Sequence, residues 1–235
     1  MEITSASLII WSFGLAAFGY LALWIYLISF GTDWRSSTHT RRMVSVAIVS
    51  TLWAFGSLLY AYSGHPLTLL ATTLGDVAKY GLWYAFLVTL LVPKSDQRSR
   101  TFLPSWLPAI CWALVIAGVC LQLSAALRLI STEEWLRSLI FHGLAEAVIG
   151  LVLVEQLFRT VSEDSRWNVK PLCVALLFQF AFDIYLFADA MMFSRIDTDA
   201  LTVRGFVHAM TIPLLMLATD RARDWQFLHL NFQLP

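Results

Sequence analysis

The stretch Val169–Phe193, VKPLCVALLFQFAFDIYLFADAMMF, decides how the rest of this chain is read. It is long enough to cross a bilayer, which takes about 20 residues of α-helix. Three polar side chains, Gln179, Asp183 and Asp189, interrupt the apolar run. A carboxylate at membrane depth is costly, so it normally faces a protein interior, pairs with a charge or has a function. The stretch therefore predicts a membrane helix whose polar side chains face other helices.

The composition of the whole chain is typical of a polytopic membrane protein. Of the 235 residues, 58% are hydrophobic and 14% are charged, whereas a soluble domain has roughly 25% charged residues. The formal net charge is zero, which argues against a nucleic-acid partner. Cys111, Cys120 and Cys173 lie in apolar runs, so we predict buried thiols and neither a disulfide framework nor a metal site.

Seven apolar runs with short polar breaks predict an all-α fold, a seven-transmembrane helix bundle formed by residues 1–220. The runs are Ser5–Phe30, Met43–Tyr62, Leu67–Val92, Phe102–Leu127, Glu134–Phe158, Val169–Phe193 and Ala200–Thr219. Lysine and arginine are concentrated in the breaks that follow runs one, three, five and seven. This bias predicts that the N-terminus is outside and the C-terminus is cytoplasmic, with residues 221–235 as a cytoplasmic tail.

Ten polar residues from runs three, five, six and seven form the candidate site. Spacings of three and four residues place several of them on one helix face, as for Asp76 with Lys79 and for His142 with Glu146. All ten are predicted to lie in the half of the membrane that faces away from the cytoplasm. The set is Asp76, Lys79, Arg137, His142, Glu146, Gln179, Asp183, Asp189, Arg204 and His208.

Three interpretations of this set are open. The first is a structural network of ion pairs that fixes helix packing, because buried ionisable groups pair whether or not they bind a ligand. The second is a ligand-binding or pH-sensing pocket, since histidines beside carboxylates titrate near neutral pH. The third is a catalytic or metal site, whose ligands would be His142, Glu146, Asp183 and His208. The chain has no HExxH or similar closely spaced motif, so we expect no bound metal and no cofactor.

Many positions from the fifth run onward carry a family resemblance. They are Val154–Arg159, Arg166, Trp167, Lys170, Leu172, Cys173, Asp183, Ala188–Ala190, Phe193, Arg195, Asp197, Arg204, Gly205, Pro213, Leu214, Asp224 and Trp225. At these positions the chain resembles the N-terminal membrane sensor region of the PrsK family. PrsK proteins are the histidine kinases of exosortase and PEP-CTERM protein-sorting systems in Gram-negative bacteria. The earlier helices match more loosely, for example at Trp34 and Arg35.

The resemblance implies a signal-input module in the bacterial inner membrane, linked to PEP-CTERM sorting and exopolysaccharide regulation. Its implied partners are membrane lipids, an envelope-side ligand or protein, the GAF-like and kinase domains of a parent chain, and a cognate response regulator. Whether the chain forms a homodimer is left open. The chain ends at Pro235 without a phosphoacceptor histidine motif or glycine-rich ATP-binding boxes, so we expect no kinase activity from it alone.

Two other functions remain as alternatives to the sensor. One is an intramembrane metal-dependent hydrolase, which rests only on helix count and on the content of histidine, aspartate and glutamate. The other is a structural membrane protein of the same sorting system, which would contain paired charges and no pocket.

Overall fold

The computed structural model describes residues 5–30, 38–91, 104, 106–161 and 163–221. Within these ranges the chain forms helices and no strand, which confirms the all-α prediction. The seven helices are α1 (Ser5–Phe30), α2 (Thr38–Ser63), α3 (Pro66–Leu91), α4 (Trp106–Ala126), α5 (Thr132–Thr160), α6 (Glu163–Phe193) and α7 (Thr198–Arg221). The predicted tail, apart from Arg221, and the predicted start of the fourth run at Phe102 lie outside the described residues.

Six of these seven helices, all except α3, are long and apolar enough to cross a membrane. The α3 helix has 26 residues, and Asp76, Lys79 and several threonines interrupt its apolar run. The described part of the chain therefore has the helices of a polytopic membrane protein.

Two helices begin earlier than their apolar runs. The α2 helix starts at Thr38 and α6 starts at Glu163, where the apolar runs predicted Met43 and Val169. The added residues are mostly polar, and polar residues continue a helix wherever it extends beyond the hydrocarbon. Hydropathy thus located the membrane-embedded part of each helix and not its first residue.

Short connections join the helices at the end of the bundle where α3, α5 and α7 begin. Gly64, Arg128 and Ser194 all adopt positive φ angles, of 61°, 55° and 54°, in the turns before these helices. Ser131 caps α5, because its side chain accepts a hydrogen bond from the Glu134 amide while Glu134 accepts one from the Ser131 amide. These turns make successive helices antiparallel neighbours.

Six helices form a closed ring in the order α1, α2, α3, α5, α6 and α7, and α7 packs back against α1. The α4 helix lies outside this ring, against α3 and α5. A glycine permits close approach of α7 and α1. A Cβ added at Gly205 would lie 2.8 Å from the carbonyl carbon of Ser12. The ring encloses a central space that side chains from all six helices fill.

The outer surface of the bundle is apolar, as expected for contact with lipid. Large side chains such as Trp11, Phe18 and Trp112 are exposed. Cys111 and Cys173 are buried as predicted, but Cys120 is exposed, so that part of the cysteine prediction was wrong. The reason is that Cys120 follows Cys111 by nine residues on α4, which places it on the opposite side of that helix from the buried Cys111.

Candidate functional site

Arg204 of α7 lies at the centre of the buried polar side chains. Its Nη1 and Nη2 atoms donate to the two carboxylate oxygens of Asp76 at 2.7 and 3.0 Å. Its Nε and Nη2 atoms donate to the two oxygens of Asp183 at 2.7 and 3.0 Å. The planar guanidinium matches carboxylates in this two-pronged way, which gives strong and directional hydrogen bonds. One side chain therefore connects α7 to both α3 and α6.

Two residues of α3 complete this group. Lys79 Nζ lies 2.9 Å from Asp76 Oδ1, and the Tyr80 hydroxyl donates to Asp183. We call Asp76, Lys79, Asp183 and Arg204 the charge network. With all four ionised, it contains two positive and two negative charges, so it is neutral as a whole. That balance is what allows four charges to remain inside a helical bundle.

Aromatic rings cover the positive charges of the network. Lys79 Nζ lies 3.6 Å from the ring centre of Trp53 on α2, and the Arg204 guanidinium carbon lies 5.1 Å from the same ring. Phe187 of α6 lies near the other side of Arg204, at 5.7 Å. Cation–π attraction is strongest for tryptophan and grows when water is excluded. Trp53 thus brings a fourth helix into contact with the network.

The charge network lies deep in the bundle. The side chains of Lys79, Asp183 and Arg204 are at most 5% exposed, whereas that of Asp76 is 20% exposed. Asp76 lies about 15 Å along α3 from its first residue, at a rise of 1.5 Å per residue. Of the four charged side chains, Asp76 is thus the most exposed.

A second buried group surrounds the Tyr20 hydroxyl of α1. This oxygen lies 2.8 Å from His208 Nδ1 and accepts a hydrogen bond from Gln179 Nε2 at 3.2 Å. The same Gln179 amide nitrogen donates to Thr211 Oγ1 at 2.6 Å. Hydrogen bonds in this group again link α6 to α7. The group lies about one helical turn from Arg204, towards the C-terminal end of α7. Its bonds to the Tyr20 hydroxyl hold α1 to α6 and α7.

A third group consists of His142 and Glu146 on α5. His142 Nδ1 lies 3.5 Å from Glu146 Oε2, and His142 Nε2 lies 2.9 Å from the Leu114 carbonyl oxygen of α4. The Tyr84 hydroxyl of α3 donates to the backbone carbonyl of Glu146. This pair forms no direct hydrogen bond with the charge network.

Two of the predicted site residues do not join these groups. Arg137 lies on the exposed first turns of α5 and pairs with Glu133 at 3.3 Å, so its predicted place in the cluster was wrong. Arg137 is too near the end of its helix to reach the ring centre. Asp189 is partly buried and forms no hydrogen bond or ion pair with any described residue. The separate prediction that Glu155 pairs with Arg159 is confirmed, at 2.8 Å.

Sequence reasoning missed the aromatic members of the site. Tyr20, Trp53 and Tyr80 are all nearly fully buried and contact its polar groups. Tyr80 was detectable, because it follows Asp76 by four residues and so lies on the same helix face. For Tyr20 and Trp53 the only signal was an aromatic side chain with a polar atom in an apolar run, which is common in membrane helices.

The four residues considered as metal ligands do not come together. Both oxygens of Asp183 bind Arg204, His208 contacts Tyr20, and His142 and Glu146 form a separate pair. In the described ranges, no three histidine, cysteine, aspartate or glutamate side chains are grouped so that they could hold a metal ion. The geometry therefore gives no support to a metal site built from these four residues.

The site can hold helices in position, because Arg204 binds two carboxylates at the same time. Arg204 has two carboxylates on different helices, so a change in either one alters how α7 is held against α3 and α6.

Comparison of the chain with protein-family models, with curated proteins and with solved structures gives no match in any of the three.

Proposed function

We propose that this chain is the membrane-embedded signal-input module of a PrsK-like histidine kinase, and that Arg204 sets the position of α7. The observation that supports this best is the charge network, which links α7 to α3 and α6 through one side chain with two carboxylate partners. A signal changes the output only if it binds two arrangements of the bundle unequally. A stimulus that competes for Asp76, the exposed carboxylate, would weaken one of the two attachments of Arg204.

The last turn of α7 provides a route from the network to a cytoplasmic kinase. Pro171 of α6 has no amide hydrogen for the carbonyl of Trp167, which lies four residues earlier. Arg221 Nη1, at the end of α7, donates to that carbonyl at 2.7 Å instead. Asp220 accepts a hydrogen bond from Tyr26 of α1. Movement of α7 would therefore be transmitted to α1 and α6 at the end where a following domain begins.

The proposal includes seven membrane spans in the bacterial inner membrane, with the N-terminus outside. We include α3 as a span because Asp76 and Lys79, the two charges in its apolar run, pair with protein groups. Single cysteines introduced into a chain without its three native cysteines test this topology. We expect a membrane-impermeant maleimide to label Gly64→Cys in intact cells and Thr160→Cys only after lysis. The reverse pattern would refute the orientation.

The partners of the proposed module are those of a sensor kinase. They are an envelope-side ligand or protein at the stimulus end, surrounding lipids, cytoplasmic GAF-like and kinase domains, and a cognate response regulator. A homodimer would be formed through the kinase domains or through the lipid-facing surface.

The decisive experiment joins residues 1–225 to the cytoplasmic part of a PrsK-family kinase and measures autophosphorylation in lipid nanodiscs. We expect Asp183→Asn and Arg204→Lys to change the phosphorylation rate, because the first alters the attachment of α7 to α6 and the second alters its attachments to both α3 and α6. Glu155→Gln is the matched control, since Glu155 is an exposed acid that pairs with Arg159 and lies outside the charge network. Its rate should equal that of the parent.

A structural membrane protein is the second candidate, because the four charges of the network already satisfy one another. The same experiment separates the two functions. Folded Asp183→Asn and Arg204→Lys proteins that phosphorylate at the parental rate would overturn the signal-input proposal and favour the structural role. Folding is checked independently by size-exclusion chromatography, and Arg204→Lys keeps the positive charge if Asp183→Asn fails to fold.

A further inference from the structure

We propose that Glu146 of α5 is a proton-binding site, held as a neutral carboxylic acid beside His142. The site is separate from the charge network, and the inference does not depend on the proposed signalling function. Its ligand is a proton, bound to the Glu146 carboxyl one helical turn from His142.

The hydrogen bond of His142 to α4 fixes which ring nitrogen carries a hydrogen. The Leu114 carbonyl oxygen can only accept, so the ring nitrogen 2.9 Å away, Nε2, must donate. The 3.5 Å separation of His142 Nδ1 from Glu146 Oε2 is longer than the roughly 2.7–2.9 Å of a hydrogen-bonded ion pair. Glu146 is therefore not held in its ionised form by a short hydrogen bond from His142.

In the part of the chain that the structure describes, the cations near Glu146 already have carboxylate partners. The charged groups near Glu146 on the neighbouring helices are Asp76 and Lys79 of α3, Asp183 of α6 and Arg204 of α7, and the Tyr84 hydroxyl of α3 is also close. Lys79 and Arg204, the two cations among them, are already paired with Asp76 and Asp183. An ionised Glu146 would therefore add one uncompensated charge to a network that is neutral.

The surroundings of the other carboxyl oxygen of Glu146 also indicate a neutral acid. Glu146 Oε1 is buried and has no hydrogen-bond partner among the described residues. An ionised carboxylate away from water needs several donors, whereas the carbonyl oxygen of a neutral acid loses much less without one. The Glu146 side chain is 3% exposed and that of His142 is 10% exposed. Glu146 is therefore the more deeply buried of the two.

The helix packing makes room for the imidazole of this pair. A Cβ added at Gly118 of α4 would lie 2.6 Å from His142 Cε1 and 2.9 Å from Nε2. Only glycine at this position lets the ring lie against the α4 backbone and reach the Leu114 carbonyl. His142 Nε2, the nitrogen that carries a hydrogen, thus lies in the contact between α4 and α5.

Infrared spectroscopy of the full chain in lipid tests the inference, because a protonated carboxyl has a C=O stretching band that an ionised one lacks. We expect such a band at neutral pH, shifted by incorporation of ¹³C-labelled glutamate and unaffected by ¹³C-labelled aspartate. The band should be absent in Glu146→Gln and present in Glu155→Gln, the matched control on the same helix. In His142→Leu it should remain, because the proton is bound to Glu146 itself.

Each part of the inference has a result that overturns it. If the wild-type protein has no glutamate-derived C=O band at neutral pH, Glu146 is ionised; this measurement needs no variant and stands even if Glu146→Gln does not fold. A band that survives in Glu146→Gln belongs to another residue. A band that disappears in folded His142→Leu overturns the assignment of the proton to Glu146 itself. None of these outcomes depends on kinase output.

Discussion

The pairing of Arg204 with Asp183 gives the sharpest test of the charge network. Arg204→Met removes the four hydrogen bonds to the two aspartates, which span 2.7 to 3.0 Å. It leaves two carboxylates and one ammonium, so the network gains one uncompensated negative charge. Asp183→Asn has the opposite effect and leaves one uncompensated positive charge. Removing one partner of a buried pair costs about 3–5 kcal/mol, so we expect each single change to destabilise the bundle by that amount.

The double variant restores the charge balance. With both changes made, Asp76 and Lys79 remain as a neutral pair 2.9 Å apart. We therefore expect the double variant to lose about 2–3 kcal/mol less unfolding free energy than the sum of the two single losses. Coupling of this size is seen between contacting residues. The assay is reversible unfolding in mixed micelles titrated with dodecyl sulfate and followed by tryptophan fluorescence.

A distant pair serves as the control for this cycle. Asp183→Asn combined with Glu155→Gln should be additive to within about 0.5 kcal/mol, because Glu155 lies near the other end of the bundle and pairs with Arg159. If Arg204→Met and Asp183→Asn are equally additive, the two side chains do not stabilise one another. The charge network, and the role of Arg204 in holding α7, would then be wrong.

Two further predictions concern contacts of α1 with its neighbours. Gly205→Ala should destabilise the bundle by about 1–3 kcal/mol, because the new Cβ would lie 2.6 Å from Ser12 Oγ and 2.8 Å from its carbonyl carbon, which is backbone and cannot turn away. Gly14→Ala, which meets only the flexible end of Leu58 at 3.3 Å, should have little effect in the same micelle titration. Tyr20→Phe should cost about 1–3 kcal/mol, since it leaves His208 Nδ1 and the Gln179 amide without the hydroxyl. Equal unfolding midpoints for Tyr20→Phe and the parent would show that these buried polar atoms find other partners.

The local parts of the site followed from the sequence alone. Spacings of three or four residues identified the pairs Asp76 with Lys79 and His142 with Glu146, because a helix places such residues on one face. The rule uses only the geometry of one helix, so it needs no knowledge of the fold. For the same reason it did not reveal that Arg137 lies among exposed groups.

The contacts between helices were not predictable in this way. Arg204 had two possible aspartate partners on α6 and another on α3, and nothing in their spacing selects Asp183 and Asp76 over Asp189. The selection depends on how far each helix is shifted along its axis and rotated about it. Those two quantities are set by packing of small residues such as Gly205 against Ser12.

The sequence by itself determined that the chain is helical and apolar enough for a membrane, since its apolar runs have the roughly 20 residues of a membrane helix and exceed the roughly 9–11 residues of a membrane strand. It also determined that several charges lie within those runs. Only the tertiary structure decided that Arg204 joins Asp76 to Asp183 while Glu146 is left with His142. The physical reason is that a buried charge must be balanced within a few ångströms, and only the packed ring of helices fixes which charges are that close.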